Sequence, residues 1–131
     1  MSTFPKTNRL LNRQDFQATF DHGTKMVSRD LIVVQRPASG TEPRLGLVVT
    51  RKMGNAVARN RFKRNLREIF RRNKDKLKEL GHSDSDFVVI ARARSMEITQ
   101  RQLESSFFWC LRKLQDLSAK KSASGTSEVA S

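Results

Sequence analysis

The stretch from Arg51 to Arg71 holds eight cations, Arg51, Lys52, Arg59, Arg61, Lys63, Arg64, Arg67 and Arg71, against one carboxylate, Glu68. Within it Phe62, Leu66, Ile69 and Phe70 recur at i, i+4, i+7 and i+8, the spacing of an amphipathic helix with one buried stripe. At about 100° per residue, Asn60, Arg64, Arg67 and Arg71 fall on the opposite side, with Lys63 on one edge and Arg61 and Arg72 on the other. Guanidinium forks bind phosphate oxygens bidentately, so a rigid ladder of this kind is a lodging place for successive phosphates. Asparagines set among the cations, such as Asn55 and Asn60, reach sugar hydroxyls or base edges. The alternative, a merely solvated charged face, would bring more compensating acids.

Residues that could do covalent or metal chemistry are few. His22 and His82 each sit beside a glycine and lack the spacing of a zinc motif, so they read as surface or capping residues. The only close acidic pair, Asp84 and Asp86, lies in a serine-rich turn at the start of an apolar run and reads as solvated turn chemistry, whereas a two-metal nuclease needs several clustered carboxylates. Met53-Gly54-Asn55-Ala56 has a single glycine and is not a phosphate loop. No catalytic residue and no metal on the protein are expected.

The rest of the chain must position the cationic segment. Its 131 residues carry a formal net charge of +13, and residues 51–72 hold nine basic groups and one acidic. Charge so concentrated predicts a polyanionic partner rather than a small-molecule substrate. The longest apolar runs fall well short of the ~18 residues of a membrane span, and no apolar leader follows Met1. A lone cysteine, Cys110, on an apolar helical face fits packing in a reducing compartment, so a cytoplasmic protein is expected.

Asn12 is placed to cap a short helix over Arg13 to Asp21, with Phe16 and Phe20 on one face and Gly23 as a left-handed terminator. Met26 to Gln35 reads as one strand, residues 36–43 as a loop, and Arg44 to Arg51 as a second strand pairing back in a hairpin. The basic helix follows from Val57, continuing or restarting through Lys74 to Leu80. Asp86 to Arg92 is a third strand, parallel to the second. Thr99 and Gln102 form a capping box for a last helix that buries Leu103, Phe107, Cys110, Leu111, Leu114 and Leu117, while Trp109 lies off the centre of that stripe. Residues 1–118 thus read as one RNA-binding α/β domain of αββαβα order, with a sheet of three or four strands. Residues 119–131 read as a disordered tail.

Lys52-Met53-Gly54-Asn55-Ala56-Val57-Ala58-Arg59-Asn60-Arg61-Phe62-Lys63-Arg64 with Leu66-Arg67-Glu68 resembles the RNR signature of the protein subunit of bacterial ribonuclease P. Arg9-Leu10-Leu11, Asp15-Phe16, Phe20 and Gly23 stand upstream in the family's order, as do Arg44 to Val49 before the motif and Asp86 to Arg92 after it. Met53 replaces a valine-like residue and Arg51 a lysine, without change of charge or burial class.

That resemblance implies an α/β sandwich like a ribosomal-protein domain, with a left-handed βαβ crossover against a rule that about 98% of such units obey. It implies a ribonucleoprotein in which the RNA subunit, with magnesium ions, hydrolyses the phosphodiester 5′ to mature tRNA. The protein alone is then inactive. Arg59, Asn60, Arg61, Lys63, Arg64 and Arg67, with Arg51, Lys52, Asn55 and Arg71, would bind the catalytic RNA. A cleft between the first helix and the sheet, walled by Phe16 and Phe20 and floored by Val33 or Val34, would grip the single-stranded 5′ leader of precursor tRNA. Two rivals remain at this point: a ribosomal-type structural protein sharing the basic helix, and a protein-only nuclease requiring an acidic metal site that the sequence does not suggest.

Overall fold

The structure, a computed structural model, describes residues 13–37, 42–81 and 84–124. Along the chain run α1 (Arg13–His22), β1 (Thr24–Val27), β2 (Leu31–Pro37), β3 (Arg44–Val48), α2 (Ala56–Arg72), α3 (Lys74–Glu79), β4 (Ser85–Ala91) and α4 (Gln100–Ser124). The four strands form one mixed sheet in the order β1-β2-β4-β3, antiparallel except for the parallel pair β3 and β4.

Two expectations about the sheet need correction. The run from Met26 to Gln35 is two strands, because Ser28-Arg29-Asp30 turns the chain and the Ser28 hydroxyl donates to Leu31 O at 2.7 Å while accepting from Leu31 N at 3.1 Å. The hairpin therefore joins β1 to β2, with Met26 opposite Val33. Strand β3 does not pair with β2, since β4 lies between them. Phe87, Val88 and Val89 are fully buried, so this strand carries apolar side chains toward both faces. Only a central position covers such a strand on both sides.

Alternation along the strands sorts two layers. On one face Leu31, Val33, Leu45, Phe87 and Val89 meet α2 and α4 through Phe62, Leu66, Ile69, Phe70, Leu103, Phe107 and Leu111. Phe70, Phe87 and Phe107, from three different elements, pack with ring centroids 5.9 to 6.4 Å apart, a geometry worth about 0.5–1.5 kcal/mol per pair beyond burial. On the other face Val34 and Val88 form a smaller cluster with Phe16 of α1, Val48 and Ile90.

The anticipated capping box is present at α4: Gln102 N donates to Thr99 Oγ1 at 3.1 Å and Thr99 N to Gln102 Oε1 at 2.9 Å. The helix continues past Ser118, where the sequence suggests a tail, through Ser124; Ala and Lys are strong helix formers, and no Gly or Pro intervenes before Gly125. Gly23 is not in the left-handed region, which among the described glycines holds only Gly54 and Gly81. It is required by close approach instead, since a Cβ there would lie 2.5 Å from Thr19 O and 2.7 Å from Val34 Cγ1. Asn12 and His82 lie outside the described residues.

Candidate nucleic-acid interface

The basic helix is launched by a tight entry. A 3-10 turn over Arg51–Met53 leads to Gly54, whose φ of 150° suits a residue without a Cβ, and then to Asn55 as N-cap. The Asn55 side chain accepts from Ala58 N at 2.9 Å, so its first task is to start α2. No acidic residue occupies the first turn of α2, which leaves the positive end of the helix dipole uncompensated. The buried stripe is Phe62, Leu66, Ile69 and Phe70, as the periodicity requires, and the cations occupy the remaining circumference.

The cations divide by what holds them. Arg59 Nε donates to Gly54 O at 3.1 Å and bends back over the entry turn. Arg61 Nη2 donates to Met96 O at 3.0 Å, tying α2 to the segment before α4. Arg71 is paired with Glu68, and that hydrogen bond draws the Glu68 carboxyl below its ordinary value and raises Arg71. Arg72 Nη2 reaches Glu104 Oε1 of α4 at 3.1 Å. Arg51, Lys52, Lys63 and Arg64 have no ion pair or side-chain hydrogen bond among the described residues. Arg51, Lys52, Asn60 and Arg64 are exposed, while Lys63 and Arg67 are half-buried. Four cations without acidic partners, Arg51 and Lys52 in the entry turn and Lys63 and Arg64 on α2, flanked by others that are fixed in place, make a surface suited to phosphates. Sequence reading did not single out Val57, which stands 77% exposed beside the entry; its early place in the helical pattern, off the apolar stripe, is the signal that marks it.

The second surface lies across the sheet. Asp86, read from sequence as solvated turn chemistry, is fully buried. It accepts from Arg44 Nε at 2.8 Å and Nη2 at 2.7 Å, and from Arg36 Nη2 at 3.4 Å. Burial reverses the expectation because Arg36, Arg44 and Asp86 stand in register on three adjacent strands and the two guanidiniums compensate the carboxylate. Arg44 Nη1 continues to Asp15 of α1 at 3.2 Å, and Arg36 Nε donates to Thr19 Oγ1 at 3.2 Å. Its bond to Asp86 holds the Arg44 guanidinium above its ordinary pKa. This network fixes α1 against the sheet.

Phe16 is half-buried against Val34 and Val88, whereas Phe20 is 46% exposed. Of the two valines, Val33 belongs to the main core and Val34 lies beneath α1. The open floor is one row further on: Val27, Ile32, Ile90 and Val48 are cross-strand partners, and all are half-buried or exposed. Exposed Lys25 shares that face as the partner of Val34. Apolar floor, aromatic wall and a bordering cation match what single-stranded nucleic acid requires. Among the described residues no group of three or more His, Cys, Asp or Glu side chains could hold a metal ion, and no helix is long and apolar enough to cross a membrane.

Comparison with known proteins shows the family to which a chain of this fold and sequence belongs. A family model described as Ribonuclease P matches residues 4–115. The ribonuclease P protein component of Bacillus pumilus (strain SAFR-032) is 38% identical over 109 residues, which cover 82% of this chain and 88% of that protein. A Staphylococcus aureus RNase P protein mutant with defective mRNA degradation activity superposes with a TM-score of 0.73 at 31% identity, covering 84% of this chain and 90% of the other. The RNase P protein from Thermotoga maritima superposes with a TM-score of 0.69 at 34% identity, covering 80% and 96%. With the RNR-like segment on an exposed basic helix and relatives matched over most of their length, the chain belongs to the family of bacterial ribonuclease P protein components.

Proposed function

We propose that this chain works as the protein subunit of a ribonucleoprotein ribonuclease P, binding the catalytic RNA and the 5′ leader of precursor tRNA in the cytoplasm. The observation that carries this reading is the set of cations on and before α2, Arg51, Lys52, Lys63 and Arg64, that no acidic group of the described protein engages. With Arg59, Asn55, Asn60, Arg61, Arg67 and Arg71 around them, they dock on the phosphates of the RNA subunit. Asn55 and Arg59 chiefly shape the entry and Arg61 ties α2 to the segment before α4, since each already holds a backbone group.

The leader lies in the groove between α1 and the sheet, with bases against Phe16 and Phe20 and the Val27-Ile32-Ile90-Val48 row below. Aromatic stacking suits a leader of any sequence, because every base has a π-face. Hydrolysis of the phosphodiester belongs to the RNA subunit and its magnesium ions. The donor set supports that division of labour, for the described carboxylates are dispersed and the fully buried one, Asp86, is occupied by two arginines. The protein's part is to bind, to orient the leader, and to supply fixed cations in place of part of the ion atmosphere, which lowers the magnesium demand.

Substrate discrimination tests this reading. The complex of catalytic RNA with this chain should bind a leader-bearing precursor tRNA more tightly than mature tRNA, and catalytic RNA alone should show less preference. Equal preference with and without the protein contradicts the leader assignment.

A further inference from the structure

The outward face of α4 is used by neither surface described so far. Its inner side is buried through Leu103, Phe107, Cys110, Leu111 and Leu114. Trp109, the only tryptophan of the chain, points away from that core and is 43% exposed. Lys113 Nζ lies 5.7 Å from the centre of its ring, Arg112 is exposed beside it, and Arg101 is exposed two turns earlier on the same side. Asp116 is the exposed acid nearby. Glu104 is engaged by Arg72 and by Asn73 Nδ2, which locks this helix to α2.

We propose that this face is a stacking platform for an unpaired base of the RNA subunit, with Trp109 beneath the base and Arg101, Arg112 and Lys113 on its flanking phosphates. The inference rests on the reading of α2 as the RNA dock and extends it around the protein. Helices α2 and α4 cover the same face of the sheet, so an RNA seated along α2 passes α4, while the α1 groove lies on the opposite face. Cations beside an exposed indole favour nucleic acid, since stacking tolerates any base and the phosphates are neutralised at the rim. A second copy of this chain is disfavoured by the same cations, because protein interfaces deplete charge at their centres and each copy carries +13.

Having a single tryptophan makes the test direct. The full chain is titrated with in vitro transcribed ribonuclease P RNA while Trp109 emission and its quenching by acrylamide are followed, and RNA binding is measured independently by filter retention. Stacking predicts that emission falls and that Trp109 becomes protected from acrylamide at saturation. Trp109→Ala should weaken RNA binding by at least about fivefold, and Trp109→Phe, which keeps a ring, should restore most of it. RNA that binds while emission, acrylamide access and the Trp109→Ala affinity all stay unchanged overturns this proposal and leaves the α2 dock standing. Absence of any RNA binding overturns both. Emission that changes with protein concentration in the absence of RNA identifies a second copy as the occupant and also overturns it.

Discussion

Arg44 grips the buried Asp86 of the neighbouring parallel strand with both ends of its guanidinium, Nε to Oδ1 at 2.8 Å and Nη2 to Oδ2 at 2.7 Å. The same guanidinium reaches Asp15 of α1 through Nη1. One side chain thereby joins the sheet to the helix that carries Phe16 and Phe20, beside Arg36, which donates to Thr19 Oγ1 of the same helix.

Asp86→Ala removes the compensating charge of two arginines. Breaking a fully buried pair costs about 3–5 kcal/mol, and because Arg36 and Arg44 remain partly solvated the expected loss is roughly 2–3 kcal/mol. Urea unfolding checks it, and leader affinity should fall in the folded fraction because α1 is released. A midpoint equal to that of the unaltered protein would show the clamp to be dispensable.

Removing cations from α2 should act on RNA binding with little effect on stability. For Arg64→Ala combined with Arg67→Ala, affinity for catalytic RNA is expected to fall and the log–log salt slope to flatten by about one per lost phosphate contact. Arg71→Ala should flatten it less, since Glu68 already engages that guanidinium. A salt titration of the variants reads both, and an unchanged slope in the double variant removes α2 from the interface.

Phe16 and Phe20 should separate packing from stacking. Phe20→Ala is expected to weaken binding of leader-bearing precursor, leaving mature tRNA affinity and protein stability nearly unchanged, because nearly half of Phe20 is exposed. Phe16→Ala should lower both leader affinity and stability, the latter by about 1–3 kcal/mol, less than the ~3–5 of a fully buried phenylalanine. Equal loss for precursor and mature tRNA would place the leader elsewhere.

Burial pushes the Cys110 thiol up to about 11. The folded protein therefore holds this proton more tightly than the unfolded chain does. The associated stability is complete below the ordinary thiol pKa of about 8.5 and is lost as pH rises toward 11. Urea midpoints at about pH 8 and about pH 10.5 should differ more for the unaltered chain than for Cys110→Ala. Thiol reagents should react with the folded protein only after it opens. The chain has no tyrosine to obscure the comparison. Identical alkaline slopes in the two proteins would mean that the thiol is not held in its protonated form.

What was legible in the sequence follows from where the signal is local. The stripe of Phe62, Leu66, Ile69 and Phe70, the capping box of Thr99 and Gln102, and the parallel relation of β3 to β4 each depend on spacing within a few residues or on the length of a connection. Strand order does not. The insertion of β4 between β2 and β3 is decided by which strand buries both faces, a property of the assembled sheet. Asp86 was misread for the same reason, since its partners Arg36 and Arg44 stand 50 and 42 residues away in sequence. Gly23 resembled a helix terminator because glycine serves left-handed caps and close approaches equally well. The cations of α2 were visible as a set, but only side-chain geometry separates Arg59 and Arg61, which tie down backbone, from Arg51, Lys52, Lys63 and Arg64, which do not.

Whether this protein assists an RNA catalyst is decided by single-turnover cleavage of a precursor tRNA at low magnesium with catalytic RNA alone, this chain alone, and the two combined. The 5′ leader should be released in the mixture, with little release by RNA alone and none by the protein alone. Cleavage by the protein alone, or a mixture no faster than the RNA by itself, would contradict that role.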